Sequence, residues 1–273
     1  MSSKPTHDVG SPENTGSVTL RRAATQSEYD ECVVIQRETW GSQFADVVSS
    51  IILRIAQEVG GVTAAAFAPD GSMLGFVFGI TGVRDGELVH WSDMLAVRVG
   101  ARDMGLGKRL KAYQRDLLLE TGVRKMYWTY DPLVARNAYL NIAQLGARPV
   151  EYRTNFYGED TGSVLHGAIG TDRFIVAWQL DGDSSQAGDP DATDWSETPL
   201  IGDVLPSILP DDARVRIAIP NDIFAVLEAD EKRATRWRET TRTAFTTYLD
   251  RGYSVIGFLR GNDAAPGTYL LTR

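Results

Sequence analysis

Hydrophobic positions three and four apart mark Gln26–Trp40 and Phe44–Val59 as helices. Around them the pattern changes. Ser17–Ala24, Gly61–Ala68, Met73–Val83 and Leu88–Val99 are short apolar-rich runs that predict strands, with Asp70-Gly71 and Asp85-Gly86 as hairpin turns. Helical spacing returns at Leu106, Leu110, Tyr113 and Leu117 and predicts a helix from about Gly105 to Thr121. A strand over Arg124–Tyr130 and a helix over Pro132–Leu145 follow, with Gly146 as a left-handed cap. Ala147–Tyr157 and Thr171–Leu180 are two further strands.

The pattern then breaks. Asp181–Asp212 holds nine acidic residues and four prolines but no lysine or arginine, which predicts an acidic, extended linker. Beyond it come a strand (Arg214–Ile219), one long helix or two short ones (Asp222–Asp250) and a strand pair (Tyr253–Arg260, Gly267–Thr272). The expected organisation is a disordered polar tail over 1–16, an α/β domain over 17–180, the linker over 181–212 and a small β-α-β-β unit over 213–273.

Composition narrows the function classes. The chain has 273 residues and a net charge of -8, so it can bury a sizeable core and lacks the basic footprint of a nucleic-acid binder. No apolar run approaches a membrane span, and the N-terminus has no signal-peptide core. Cys32 stands alone, which excludes an intrachain disulfide and suits a reducing cytoplasm; on the first helix it reads as a small buried hydrophobe. His7, His90 and His166 are too scattered to suggest a metal site.

The candidate chemistry lies in "LAVRVGARDMGLGKRL", Leu95 to Leu110, a strand followed by glycines and a helix. Helix N-termini expose unpaired N–H groups and partial positive charge, and glycine lets an anion approach them closely. The spacing is not the dinucleotide fingerprint, because Leu110 takes the third glycine's place. It is not a P-loop either, lacking the upstream glycine and the hydroxyl residue after Lys108.

The longer segment resembles the acyl-CoA signature of the GNAT N-acyltransferase superfamily. That pattern, Gln/Arg-x-x-Gly-x-Gly/Ala, is met by Arg102-Asp103-Met104-Gly105-Leu106-Gly107. The following helix, the strand "RKMYWTY" and the helix ending "LNIAQLGA" fall in family order, so the resemblance spans roughly residues 17–180. It implies a mixed, splayed central sheet flanked by helices, open between Leu88–Val99 and Arg124–Tyr130. Coenzyme A would lie in the gap, its pyrophosphate on the backbone from Arg102 to Lys108 and its pantetheine arm paired with Leu95, Ala96 and Val97. Asn137 or Asn141 would touch that arm. The implied co-substrate is acetyl-CoA or another acyl-CoA, succinyl-CoA included, with no metal. The implied partners are a small-molecule amine and a second copy of the chain in a homodimer, with no nucleic acid or membrane.

Direct acyl transfer needs a base for the attacking ammonium and an acid for the leaving thiolate. The family's usual acid, a tyrosine four residues before the final glycine, falls here on Ile142; Tyr139, one turn earlier, is the substitute. Candidate bases are Asp93, a carboxylate between apolar neighbours, and His90. Regular alternation puts Trp91, Asp93, Leu95 and Val97 on one face and His90, Ser92 and Met94 on the other, subject to the bulge usual in this family strand. Tyr127, Trp128 and Tyr130 read as core or acceptor pocket, and Asp131 as a helix cap. Arg238 and Arg242, four apart, read as a carboxylate clamp or as partners of Glu228, Asp230, Glu231 or Glu239 on the surface. Arg136 and Arg153 are alternative holders of an acidic group. The leading function is acyl-CoA-dependent N-acyl transfer to a small amine, possible amino acids included. A non-catalytic acyl-CoA sensor or partner-binding module is the alternative, and protein-lysine acylation a third.

Overall fold

The computed structural model describes residues 18–158, 162–163, 169–182 and 194–273; the tail over 1–16 and residues 183–193 of the acidic segment lie outside them. Seven strands form one sheet in the order β1-β2-β3-β4-β5-β7-β6. They are β1 (Thr19–Arg22), β2 (Val62–Phe67), β3 (Met73–Arg84), β4 (Glu87–Val97), β5 (Lys125–Tyr130), β6 (Arg148–Arg153) and β7 (Arg173–Gln179). Every neighbouring pair is antiparallel except β4 and β5. This is the mixed sheet that the sequence led us to expect.

Helices cover both faces. Helix α1 (Gln26–Trp40) starts at a capping box in which Thr25 Oγ1 accepts from Glu28 N–H and the Glu28 carboxylate accepts from Thr25 N–H. Helix α2 (Ser50–Glu58) is shorter than predicted, because residues 44–49 form an irregular turn in which Phe44 is buried. Together they enclose a core of Cys32, Ile35, Leu53, Phe76 and Phe78. Helix α3 (Leu106–Glu120) covers the other face with Leu106, Leu110, Leu117 and Leu118. Burying such side chains contributes roughly 1.5–3 kcal/mol each. The strands alternate to match: Val62, Ala64 and Ala66 of β2 face α3, while Ala65 and Phe67 face α1 and α2.

The predicted helix over Pro132–Leu145 is an α-helical turn, α4 (Ala135–Ala138), that widens into a π-helical turn over Tyr139–Gln144. Leu145 N–H reaches Leu140 O, five residues back, and Gly146 at φ 71° ends the element.

A second sheet has the order β10-β11-β9-β8. Its strands are β8 (Leu200–Ile201), β9 (Arg214–Ile219), β10 (Ser254–Leu259) and β11 (Gly267–Thr272), with α5 (Ile223–Ala229) and α6 (Glu231–Asp250) between β9 and β10. Here the structure corrects the linker expectation: Trp195 and Ile201 are buried, and β8 pairs with β9. Acidic composition hid these apolar anchors. The two sheets share one hydrophobic core, in which Tyr130 and Phe174 of the first meet Tyr269 of the second and Phe245 of α6. Tyr269 also donates a 2.8 Å hydrogen bond to Pro132 O, bracing the chain where β5 turns into α4.

Candidate functional site

β4 and β5 pair at only three positions: Val89 with Lys125, His90 with Met126, and Trp91 with Tyr127. Beyond them the strands part. The β3 side of β4 remains paired through Val97, so among the described residues the β5-facing backbone of Leu95, Ala96 and Val97 has no strand partner. Buried backbone groups need partners, so this internal edge is a built-in receptor for an extended polar chain. The gap opens into a cleft of about 490 Å³.

At one mouth the chain leaves β4, makes a 3-10 turn over Val99–Met104 and enters α3 through Gly105. Gly105 adopts φ 68°, ψ 14°, a left-handed conformation that only glycine takes cheaply. Gly107 has ordinary dihedrals and serves another end: a Cβ there would lie 3.8 Å from both Leu95 and Leu140, at the cleft wall. Arg102, Lys108 and Arg136 gather around this mouth. Burial, then the neighbouring Arg102 cation, pushes the Arg136 guanidinium below its usual range. Crowded cations beside a helix N-terminus favour a polyanion.

A sheet opened between its only parallel strands, with a glycine turn and a helix N-terminus at the open end, decides the architecture. The arrangement is similar to the GNAT fold. No family model matches the sequence, and no curated protein does so either. Solved structures do show similarity. One is yncA from Salmonella typhimurium with its cofactor acetyl-CoA (17% identity, 65% of this chain, 100% of that chain, TM-score 0.48). A second is aminoglycoside 6'-acetyltransferase type Ii (19%, 60%, 98%, TM-score 0.47). A third is the ribosomal-protein-S18-alanine N-acetyltransferase from Escherichia coli (20%, 61%, 96%, TM-score 0.47).

Within this cleft the predicted cofactor residues Leu95, Ala96, Val97, Arg102, Gly105, Gly107, Lys108, Asn137 and Asn141 form the walls. Leu106 is buried in the core instead, Met104 is exposed outside the cleft, and Asp103 lies in the 3-10 turn. Asn141 is fixed by accepting a 3.1 Å hydrogen bond from Trp128 Nε1.

The register of β4 slips where Phe78 faces Met94 but Gly79 faces Ser92, so Asp93 is the bulged residue. The bulge overturns the simple alternation. Ser92 reaches α3 through Gln114, Met94 packs in the α1–α2 core, and Leu95 and Val97 pack on the α3 side. Asp93 opens into the cleft, yet protein surrounds it on most sides. Burial first, then the nearby Asp46 carboxylate, raises its carboxyl above the usual range.

The other two catalytic candidates do not join it. His90 is fully buried and outside the cleft, its Nε2 accepting from Gln114 and its Nδ1 bonded to Thr81. Burial, then the Lys111 and Arg22 cations, pushes its imidazole down to about 3. Such an imidazole stays neutral and structural. Tyr139 also lies outside the cleft, with the Arg260 guanidinium 5.4 Å above its ring. Ile142 is buried in the core. Cys32 is buried beside Met73, its thiol pushed up to about 12 by burial.

Four groups escaped the sequence reading. Lys111 lines the cleft, 2% exposed, with Nζ 2.7 Å from Ser92 Oγ and 3.9 Å over the Trp128 ring. Burial holds its ammonium far below the usual range. Its position four residues after Gly107 was the available signal. Asp46, Tyr157 and Arg173 line the cleft on the α1–α2 side, where Tyr157 is bonded to Thr129 at 2.8 Å. They come from the α1–α2 connection, the segment after β6 and the start of β7, and no local spacing links them.

Arg238 and Arg242 are corrected outright. Arg238 donates to Asp131 at 2.6 Å, and Arg242 grips both oxygens of Asp172 at 2.8 Å. These ion pairs tie α6 to the first sheet, where β5 ends and β7 begins, and are not surface pairs within α6. Asp131 also caps its own turn by accepting from Leu133 N–H, as expected.

Proposed function

We propose that this protein is an acyl-CoA-dependent N-acyltransferase acting on a small-molecule amine, with acetyl-CoA or succinyl-CoA as donor. The unpaired β4 edge, with the cationic glycine turn at its mouth, carries the reading. In it, the polyanionic end of the donor meets Arg102, Lys108, Arg136 and the backbone of the turn. The amide-bearing arm pairs with Leu95, Ala96 and Val97 and touches Asn137 and Asn141. Bound acyl-CoA supplies an activated thioester carbonyl.

The amine enters from the α1–α2 side. Asp93 takes its ammonium proton, a role favoured by a carboxyl held above its ordinary range. Free N–H groups of the β4 edge polarise the carbonyl. The C–S bond breaks as the C–N bond forms. The departing thiolate has the modest basicity of a free thiol, pKa about 8.5, and takes, through solvent, the second proton that the nitrogen sheds as it becomes an amide. No tyrosine acid is invoked, since Tyr139 and Ile142 both lie away from the cleft.

That missing acid is also the observation that favours the second reading, an acyl-CoA sensor without turnover. One assay separates them: CoA release from acetyl-CoA or succinyl-CoA, followed with a thiol reagent, in the presence of pooled amino acids and amines. We expect release that requires both donor and pool and that falls about 10²–10⁴-fold in Asp93→Asn. Acyl-CoA binding without release would overturn the transferase in favour of the sensor.

A further inference from the structure

At the start of β7, Arg173 is buried, 6% exposed, yet borders the cleft. Its Nη1 donates to Asp172 O at 2.8 Å and lies 3.5 Å from Asp131 Oδ2. Among the described residues, Nε and Nη2 meet no acceptor, and neither is sealed from solvent. Arg173 therefore keeps donors in hand, and they are accessible from the cleft that its side chain borders.

The charges around it do not balance. Arg173 and Arg238 share Asp131, while Arg242 holds Asp172, whose Oδ2 also accepts from Tyr152 at 2.6 Å. Among the described residues, three guanidinium groups thus face two carboxylates, an excess of one positive charge in a mostly buried cluster. Buried charge is costly unless paired, so such a cluster awaits an anion.

The same side of the cleft carries the opposite sign as well. Asp46 and Asp93 border it, and both carboxylates and the Arg173 cation act on the Tyr157 hydroxyl. Two carboxylates and one under-used guanidinium in a single pocket complement a molecule that carries an ammonium and a carboxylate together.

We propose that Arg173 reads a carboxylate on the acceptor, so that the amine acylated here belongs to an amino-acid-type zwitterion. This inference rests on the transferase reading above, because it assigns the α1–α2 mouth to the acceptor. Arg173 is a specificity-determining residue in it, holding the acceptor's carboxylate while Asp93 faces the ammonium. The fork geometry of arginine suits two parallel bonds to a carboxylate, which lysine cannot reproduce.

The experiment compares twenty amino acids, each beside its own carboxamide, as acceptors for acetyl-CoA and succinyl-CoA. We expect kcat/KM to fall about a hundred-fold from the preferred amino acid to its amide. In Arg173→Met that preference should vanish, the ratio of acid to amide falling to about one. Arg173→Lys, which keeps the charge near Asp131 and guards against a folding defect, should recover only part of it. Equal use of acid and amide by the unaltered protein would overturn the carboxylate assignment while leaving the transferase standing. The same acids and amides are titrated calorimetrically into the protein loaded with CoA. Carboxylate-dependent binding lost in Arg173→Met, without turnover, would support the assignment and sink the transferase alone. No carboxylate-dependent binding would overturn the assignment whatever the turnover.

Discussion

Two glycines two residues apart have different tasks. Gly105 is needed for its left-handed backbone and Gly107 for the space beside it. Gly107→Ala should leave stability unchanged or raise it by up to about 1 kcal/mol, since alanine is the better helix former. It should still weaken acyl-CoA binding, and Gly107→Trp should abolish it; thermal unfolding and calorimetric titration together separate the two effects. His90 offers a second test at this scale. Its ordinary pKa is 6.5 and its folded value about 3. Between those limits the unfolded chain binds a proton that the folded chain refuses. The stability it contributes is therefore complete above pH 6.5 and is lost as pH falls toward 3. At about 1.36 kcal/mol per pKa unit this loss is large. Proton NMR should show a His90 ring that does not titrate between pH 7.5 and 5, and His90→Gln should flatten the stability loss in urea unfolding over that range. A ring that titrates near 6.5 would show instead that the imidazole is open to solvent.

At the level of elements, periodicity was informative wherever one face of an element meets the core. Helix α1 spans the predicted residues, and β9 and β11 match their runs, because apolar spacing there reports burial directly. The glycine turn was legible for a chemical reason, since the phosphate cradle proposed for it would need bare backbone. Other features are not local and left no such trace. The bulge at Asp93 arises from the pairing of β3 with β4, and it reverses which neighbours share a face. The π-helical turn over Tyr139–Gln144 changes the residues per turn, so counting back from Gly146 reaches a core position, Ile142. Lys111 belongs to a polar chain through Ser92, Gln114 and His90 that joins α3 to β4 inside the core. A sequence shows a lysine and a histidine there but not that they are dry.

Across the whole molecule, the C-terminal sheet is part of the structure that holds the site. Asp131 stands where β5 enters the cleft wall, and its ionic partner Arg238 is 107 residues later in the chain. Arg238→Met should cost about 3 kcal/mol, because Asp131 would keep only Arg173, at 3.5 Å, as an ionic partner. Guanidinium unfolding should show one transition before and after the change; two separated transitions would mean that the sheets unfold independently. The shared aromatic core argues for one. The opened sheet has a further consequence. An unpaired strand edge normally invites another chain to add itself, the route to aggregates that proteins block with charges, prolines or bulges. Here the bare edge lies in mid-sheet, with three strands on one side, four on the other and helices on both faces. A second polypeptide cannot slide in beside it, but a thin, flexible, amide-bearing thread can. The architecture turns what would be a hazard at the rim of a sheet into a slot that admits by width.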